Sequence, residues 1–207
     1  GEILAVGDVG PGDAVLDAED GLVMPGLVNA HTHAAMTLFR GYADDKPLET
    51  WLREDIWPVE AALTAEDVRV GTELAALEMI QSGTTAFADM YFFMPTVAEV
   101  VESAGLRAML GHGVITVGKD DDGAREDLET GLEFAAEYEG AADGRIRTMF
   151  TPHSLTTVGG AYYDEYVPRA RDLGVPVHLH ANETVGEVDP IVENHGERPL
   201  HYAGDRG

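Results

Sequence analysis

Strand-like and helix-like segments alternate along most of this 207-residue chain, and that alternation restricts the fold more than any other feature. A short apolar run at residues 27–30 comes first. Residues 84–88, 106–115, 145–151 and 175–180 read as further strands, while 64–81, 96–103, 124–138 and 162–173 carry helical patterns. The helix at 64–81 has the clearest signals. Val68, Leu74, Leu77 and Ile80 recur near the helical period, Thr64 with Asp67 resembles a capping box, and Gly83 follows the last turn. Five strands, four of them followed by a helical crossover, predict an α/β protein with a parallel sheet covered on both faces. A closed (β/α)8 barrel needs eight strands and about 250 residues. The pattern therefore allows an open doubly wound sheet, or the first five units of a barrel.

Residues 1–24 read differently, as short β segments separated by turns. Ile3 to Val6 is bounded by Gly7, and Gly10-Pro11-Gly12-Asp13 is a strong breaker cluster. The chain thus divides into a β-rich segment, 1–24, and a βα segment, 25–207.

Composition removes several classes of function. Asp and Glu number 38 against 13 Lys and Arg, a formal charge of −25. Phosphate neutralisation needs clustered basic residues, so the charge sign rules out most nucleic-acid binding and no nucleic-acid partner is expected. An anionic membrane surface is disfavoured for the same reason. No apolar run approaches the roughly 20 residues of a membrane-spanning helix. The absence of cysteine excludes disulfides and thiolate metal sites, so any metal is held by His and carboxylate. Lys46 and Lys119 are the two lysines, the other basic residues being Arg, and the acidic residues are scattered along the chain. Such a surface suits solubility in high salt. With no basic n-region and no signal-like apolar core, the expectation is a cytoplasmic protein. A homo-oligomer is compatible with the sequence.

Two histidine motifs follow predicted strands. His31-Thr32-His33 lies directly after residues 27–30, and the period of a strand points both imidazoles to one side. His178 and His180 repeat that spacing at the end of the fifth strand, with Glu183 just beyond. Three His with an open position form a catalytic zinc arrangement, and a nearby carboxylate that is not a ligand is the acid/base it needs. His178 also reads as a side chain filling a deeper layer of a barrel. His153 ends the fourth strand, where a lone His is more often a hydrogen-bonded structural residue. Glu49 and Trp51 stand two apart in a segment that reads, by itself, as an amphipathic helix turn with Trp51 in the core. The acidic run from Lys119 to Gly123 reads as a solvated loop. No phosphate-cradling or dinucleotide glycine motif is present.

Together these motifs resemble the amidohydrolase superfamily. The resemblance runs through Pro25-Gly26-Leu27-Val28-Asn29-Ala30-His31-Thr32-His33, Met36 to Gly41, Gln81 to Thr85, Thr151-Pro152-His153-Ser154 and His180-Ala181-Asn182-Glu183. Within the superfamily it is nearest the 5-methylthioadenosine/S-adenosylhomocysteine deaminase branch, beside chlorohydrolases and other aminohydrolases acting on N-heterocycles.

The resemblance implies a partial (β/α)8 TIM-type barrel of about five βα units, with residues 1–24 as a fragment of an N-terminal β-sandwich. It implies hydrolytic deamination of an adenosine-type nucleoside, namely 5′-methylthioadenosine, S-adenosylhomocysteine or adenosine. His31, His33 and His180 match the metal-binding histidines, and Glu183 matches the carboxylate that moves protons to the substrate ring. Glu49 and Trp51 match an E-x-W pair contacting ribose, and His153 a substrate-contacting histidine. Arg125 roughly matches a substrate-contacting arginine, whereas His112 occupies the stretch where a second is expected. The ion implied is one divalent metal: zinc by ligand type, with iron or manganese also suited to His and carboxylate. A metal-site aspartate and a further histidine of the family would follow beyond His180, and neither His195 nor His201 substitutes for them. The alternatives are another aminohydrolase or a chlorohydrolase, and a catalytically silent half-barrel.

Overall fold

The computed structural model describes residues 3–7, 10, 12 and 14–206. Its sheet is parallel throughout. β1 (Leu27–Thr32) pairs with β2 (Thr84–Tyr91), β2 with β3 (Arg107–Val114), and β3 with both β4 (Ile146–Thr148) and β5 (Thr151–Pro152). Spatial order follows chain order, and helices occupy the connections. α1 (Leu48–Trp51), α2 (Trp57–Glu60) and α3 (Ala65–Gln81) lie between β1 and β2, and α4 (Met94–Ala104) precedes β3. α5 (Asp121–Tyr138) and the turn α6 (Ala141–Gly144) precede β4. α7 (Gly160–Asp172) follows β5, and α8 (Val185–His195) and α9 (Pro199–Arg206) come last.

The expected strand over 145–151 is interrupted rather than displaced. Ala108↔Ile146 and Gly113↔Thr151 keep one register on β3, and the break falls at Met149 and Phe150. Phe150 turns its backbone groups to the next segment, donating to Pro176 O at 2.9 Å and accepting from His178 N at 3.0 Å. The expected strand at 175–180 is likewise reduced to two isolated parallel bridges, Phe150↔Val177 and Ser154↔His180. Pro176 has no N–H to give a continuous ladder.

The β segments expected within residues 1–24 do not appear among the described residues there. Ile3, Leu4, Val6, Val15 and Leu16 are each at least 86% exposed and pair with no strand among the described residues. A lone strand without a neighbour leaves its backbone groups to water. Gly1, Glu2, Asp8, Val9, Pro11 and Asp13 lie outside the described residues.

Two apolar clusters fill the space between sheet and helices. One gathers Phe87, Met94, Val97, Val101 and Leu110, the other Val114, Leu128, Phe150, Tyr163 and Tyr166. α3 begins at the expected cap: Thr64 Oγ1 accepts from Asp67 N, and the Asp67 carboxylate accepts from Thr64 N at 2.8 Å. Such caps are worth about 1 kcal/mol. Its buried stripe, however, is Val68, Gly71, Thr72, Ala75 and Ala76, while Leu74, Leu77 and Ile80 face outward. Small residues are needed because α3 packs directly on the 3-10 turn Ala34–Phe39 that follows the first histidine motif. A Cβ on Gly71 would lie 2.4 Å from Ala35 O, and Thr37 Oγ1 donates to Gly71 O at 2.7 Å. The helix thereby anchors the chain just past His33.

Candidate metal centre and its cavity

The histidines expected as ligands converge. One ring nitrogen from each of His31, His33 and His180 lies within 4.8 Å of the others, at the carboxyl ends of their strand segments. His33 Nε2 is 3.2 Å, and His31 Nε2 3.1 Å, from His180 Nε2. The opposite nitrogens show why these atoms face inward. His33 Nδ1–H donates to Met90 O at 2.7 Å, and His180 Nδ1–H donates to His153 O at 2.9 Å. A ring that gives Nδ1–H to a carbonyl keeps its Nε2 lone pair free, the usual arrangement of a metal-ligating histidine.

Electrostatics agree with that donor set. Burial and the neighbouring imidazoles push the His31 pKa down to about 4, and burial lowers that of His33. Both are neutral at pH 7, so no proton competes for the nitrogens a metal would use. Three imidazole nitrogens suit a borderline divalent ion such as zinc and leave coordination positions open. The residues present fit such an ion.

β2 supports the first motif from behind. Asp89 is fully buried; its Oδ1 accepts from Ala34 N at 2.7 Å and lies 2.9 Å from Thr32 Oγ1, so it grips the chain on both sides of His33. Burial pushes its pKa up to about 6, against the opposing pull of those two hydrogen bonds. The other oxygen, Oδ2, has no partner among the described residues.

The three histidines border a cavity of about 870 Å³. Its opposite wall is the helical segment from α1 to α2, whose central turn, Leu52–Ile56, is π-helical. A π turn widens a helix and is frequent at functional sites. Leu48, Glu49, Trp51, Leu52, Arg53, Ile56, Trp57 and Glu60 all line the cavity from this segment. Trp51 is therefore a partly exposed cavity residue, where the sequence taken alone suggests a core one. The Glu49 carboxylate reaches α8: Oε1 lies 2.8 Å from where a Cβ on Gly186 would stand.

Glu183 also lines the cavity, immediately before α8. Asn182 takes a left-handed conformation (φ 60°), and Glu183 N donates to Glu187 Oε2 at 2.8 Å. This turn keeps the backbone of Glu183 fixed and leaves its carboxylate without a side-chain partner among the described residues. His153 faces the same space, its ring centroid 4.6 Å from that of His180. Burial takes its pKa to about 3, so it presents a neutral ring, with Nδ1 3.0 Å from Thr157 Oγ1.

Arg125 is not brought to the cavity. On α5, its guanidinium donates to Asp121 at 3.0 Å and to Glu165 at 2.8 Å and lies over the Tyr162 ring. His112 turns outward too, 2.8 Å from Asp127 Oδ1. His195 stacks on Tyr202, and neither it nor His201 lines the cavity. Asp120, in the acidic run, caps α5 through Gly123 N at 2.9 Å.

Four supporting residues escape sequence reasoning. Asp89, Glu60 and Tyr91, the last two joined by a 2.8 Å hydrogen bond on the cavity wall, carry no local signal. Glu187 does: Thr184 followed three residues later by Glu is a capping pattern, and Thr184 Oγ1 indeed accepts from Glu187 N.

The amidohydrolase family model matches residues 22–207. The chain is 63% identical over its whole length to a 5-methylthioadenosine/S-adenosylhomocysteine deaminase of Natronomonas pharaonis, of which it covers 48%. It is 51% identical over 195 residues, 94% of its length, to a 5′-deoxyadenosine deaminase of Methanosarcina mazei, of which it covers 45%. Among solved structures, a zinc-bound adenosine deaminase from Xanthomonas campestris superposes with a TM-score of 0.78 at 42% identity, over 89% of this chain and 42% of that one. An atrazine chlorohydrolase from Arthrobacter aurescens shares the fold, with a TM-score of 0.74 at 19% identity over 88% of this chain and 46% of that one. The chain thus spans about half the length of these relatives, and its parallel βα units correspond to part of their TIM-type barrel. A profile match over nearly all of the chain, joined to identities above half, admits one conclusion: the protein belongs to the amidohydrolase family.

Proposed function

We propose that the protein is a metal-dependent hydrolase that deaminates adenosine-type nucleosides: 5′-methylthioadenosine, S-adenosylhomocysteine or adenosine. The observation that carries this reading is the convergence of three histidine nitrogens beside a free carboxylate, Glu183, on one cavity. In this reading His31, His33 and His180 hold one divalent ion, for which zinc is the choice favoured by the donor set. A bound ion of this kind supplies an activated water and a Lewis acid.

The remaining chemistry belongs to the chain. Deamination forms a C–O bond at the ring carbon, breaks the C–N bond to the exocyclic amine and releases ammonia. Glu183 delivers a proton to the ring nitrogen and carries another to the leaving amine, as a base free of other partners can. His153, held neutral, offers one hydrogen-bond donor or acceptor to the substrate. Glu49 accepts from the ribose hydroxyls and Trp51 packs the sugar, which favours nucleosides over free heterocycles. The names borne by the Natronomonas and Methanosarcina relatives support the nucleoside reading. Residues 1–24 would belong to a β-sandwich and 25–207 to the barrel. The acidic surface would serve a salt-rich cell, as the source of the halophilic relatives suggests.

The test is ammonia release from 5′-methylthioadenosine in the presence of zinc, using this chain and the protein made from its complete reading frame. Turnover by the complete protein is expected. Turnover of a chlorotriazine in its place would favour the chlorohydrolase reading, and full turnover by the 207-residue chain would exclude a silent half-barrel.

A further inference from the structure

His31 differs from the other two histidines of the cluster in what holds it. His33 and His180 give Nδ1–H to backbone carbonyls, whereas the Nδ1 of His31 lies 2.7 Å from a side-chain nitrogen, His178 Nε2. The two rings are within 15° of parallel with centroids 5.0 Å apart. At so short a nitrogen–nitrogen distance, that separation means they meet edge to edge in nearly one plane, the geometry of an in-line N–H···N bond. Only one of the two nitrogens can carry the proton. Nε2 of His31 faces His180, so it is the atom that needs a lone pair, and the His31 proton must sit on Nδ1. No other acceptor for Nδ1 of His31 exists among the described residues.

We infer that His178 is the positioning residue of His31: it accepts the Nδ1 proton, fixes the ring's tautomer and plane, and leaves Nε2 free for the metal. The inference rests on reading the histidine trio as a metal centre. It replaces the view of His178 as filler of a deeper barrel layer. Strand period explains the placement, since His178 lies two residues before His180 and shares its face.

The experiment measures zinc affinity by chelator competition, in the protein made from its complete reading frame. His178→Leu fills the space without an acceptor and should weaken zinc binding by roughly 10–100-fold, the usual cost of losing such a partner. His178→Gln puts an amide acceptor near the position of Nε2 and should recover most of that loss. A filler role predicts the reverse order. Nitrogen-15 shifts of the metal-free wild type read the tautomer without any substitution, and His31 should be protonated at Nδ1. The inference is overturned if His178→Leu binds zinc as tightly as wild type, or if His31 carries its proton on Nε2. Should His178→Leu fail to fold, as judged by circular dichroism, the tautomer and His178→Gln decide. Failure of the wild type to bind zinc would overturn the metal centre itself, and this inference with it.

Discussion

On the strand-end wall of the cavity, each candidate ligand has its second ring nitrogen engaged, and Asp89 grips the chain around His33. On the helical wall, Glu49 and Trp51 make no side-chain hydrogen bond among the described residues, and they project from a segment loosened by a π turn. The contrast fits two tasks. A metal centre needs nitrogens placed to within a few tenths of an ångström, which supporting hydrogen bonds supply. Under the proposed function the helical wall can keep unsatisfied groups, because a nucleoside's hydroxyls would complete them on binding.

The largest expected effect attacks the rigid wall. In the proposed metal centre, replacing His180 with Ala removes a ligand, not merely its support. Loss of a supporting partner costs about 10–100-fold in metal affinity, so His180→Ala should cost more than ~100-fold and abolish ammonia release. Zinc content after dialysis checks this. Retention of one zinc per chain would show that His180 is not a ligand.

Asp89 tests what keeps that wall rigid. Its pKa is raised from an ordinary 3.8 to about 6 in the folded protein. The neutral form therefore favours folding: this contribution is fully present below about pH 4 and is lost as pH rises through about 6. The difference is worth on the order of 3 kcal/mol. His31, held down at about 4, acts oppositely, adding stability as pH rises from about 4 to 6.5, but it is common to wild type and Asp89→Asn. Urea unfolding of the metal-free proteins at pH 4 and pH 7 should show the Asp89→Asn variant gaining on wild type by that amount as pH rises. An unchanged difference would mean the carboxyl is not desolvated.

The helical wall should respond more gently and with selectivity. Losing one charge-assisted hydrogen bond costs about 1.5–3 kcal/mol, so Glu49→Gln should lower kcat/KM for 5′-methylthioadenosine by roughly 10–100-fold. Zinc affinity and turnover of a free heterocyclic base should stay unchanged. Equal losses on nucleoside and base would remove Glu49 from ribose recognition.

The same contrast explains what could be read from the sequence. The βα order, the cap at Thr64 and the convergence of His31, His33 and His180 follow from local rules of period and capping. Strand alternation alone predicts that two histidines two apart share a face. The support for that wall is non-local. Asp89 is separated from Thr32 by 57 positions and His178 from His31 by 147, and no local pattern announces either pairing. α3 shows a second kind of failure. Hydrophobicity points to Leu74, Leu77 and Ile80, yet close packing on the turn after His33 selects Gly71, Ala75 and Ala76. On the helical wall, Glu49 and Trp51 were legible only through resemblance, because an amphipathic turn and a substrate wall share one pattern.

Arg125 gives the smallest expected effect and the sharpest division between resemblance and geometry. Resemblance assigns it to substrate, which would require its guanidinium to leave Asp121 and Glu165 and cross to the cavity. In the structure it bridges α5 to α7 on the surface, where ion pairs contribute little because water and salt screen them. If that bridge is its whole role, Arg125→Ala should leave KM for both 5′-methylthioadenosine and S-adenosylhomocysteine unchanged. A rise in KM confined to S-adenosylhomocysteine, whose amino-acid tail carries a carboxylate, would show that Arg125 moves to the substrate. The proposed substrate wall of the cavity would then extend beyond α1 and α2 to the start of α5.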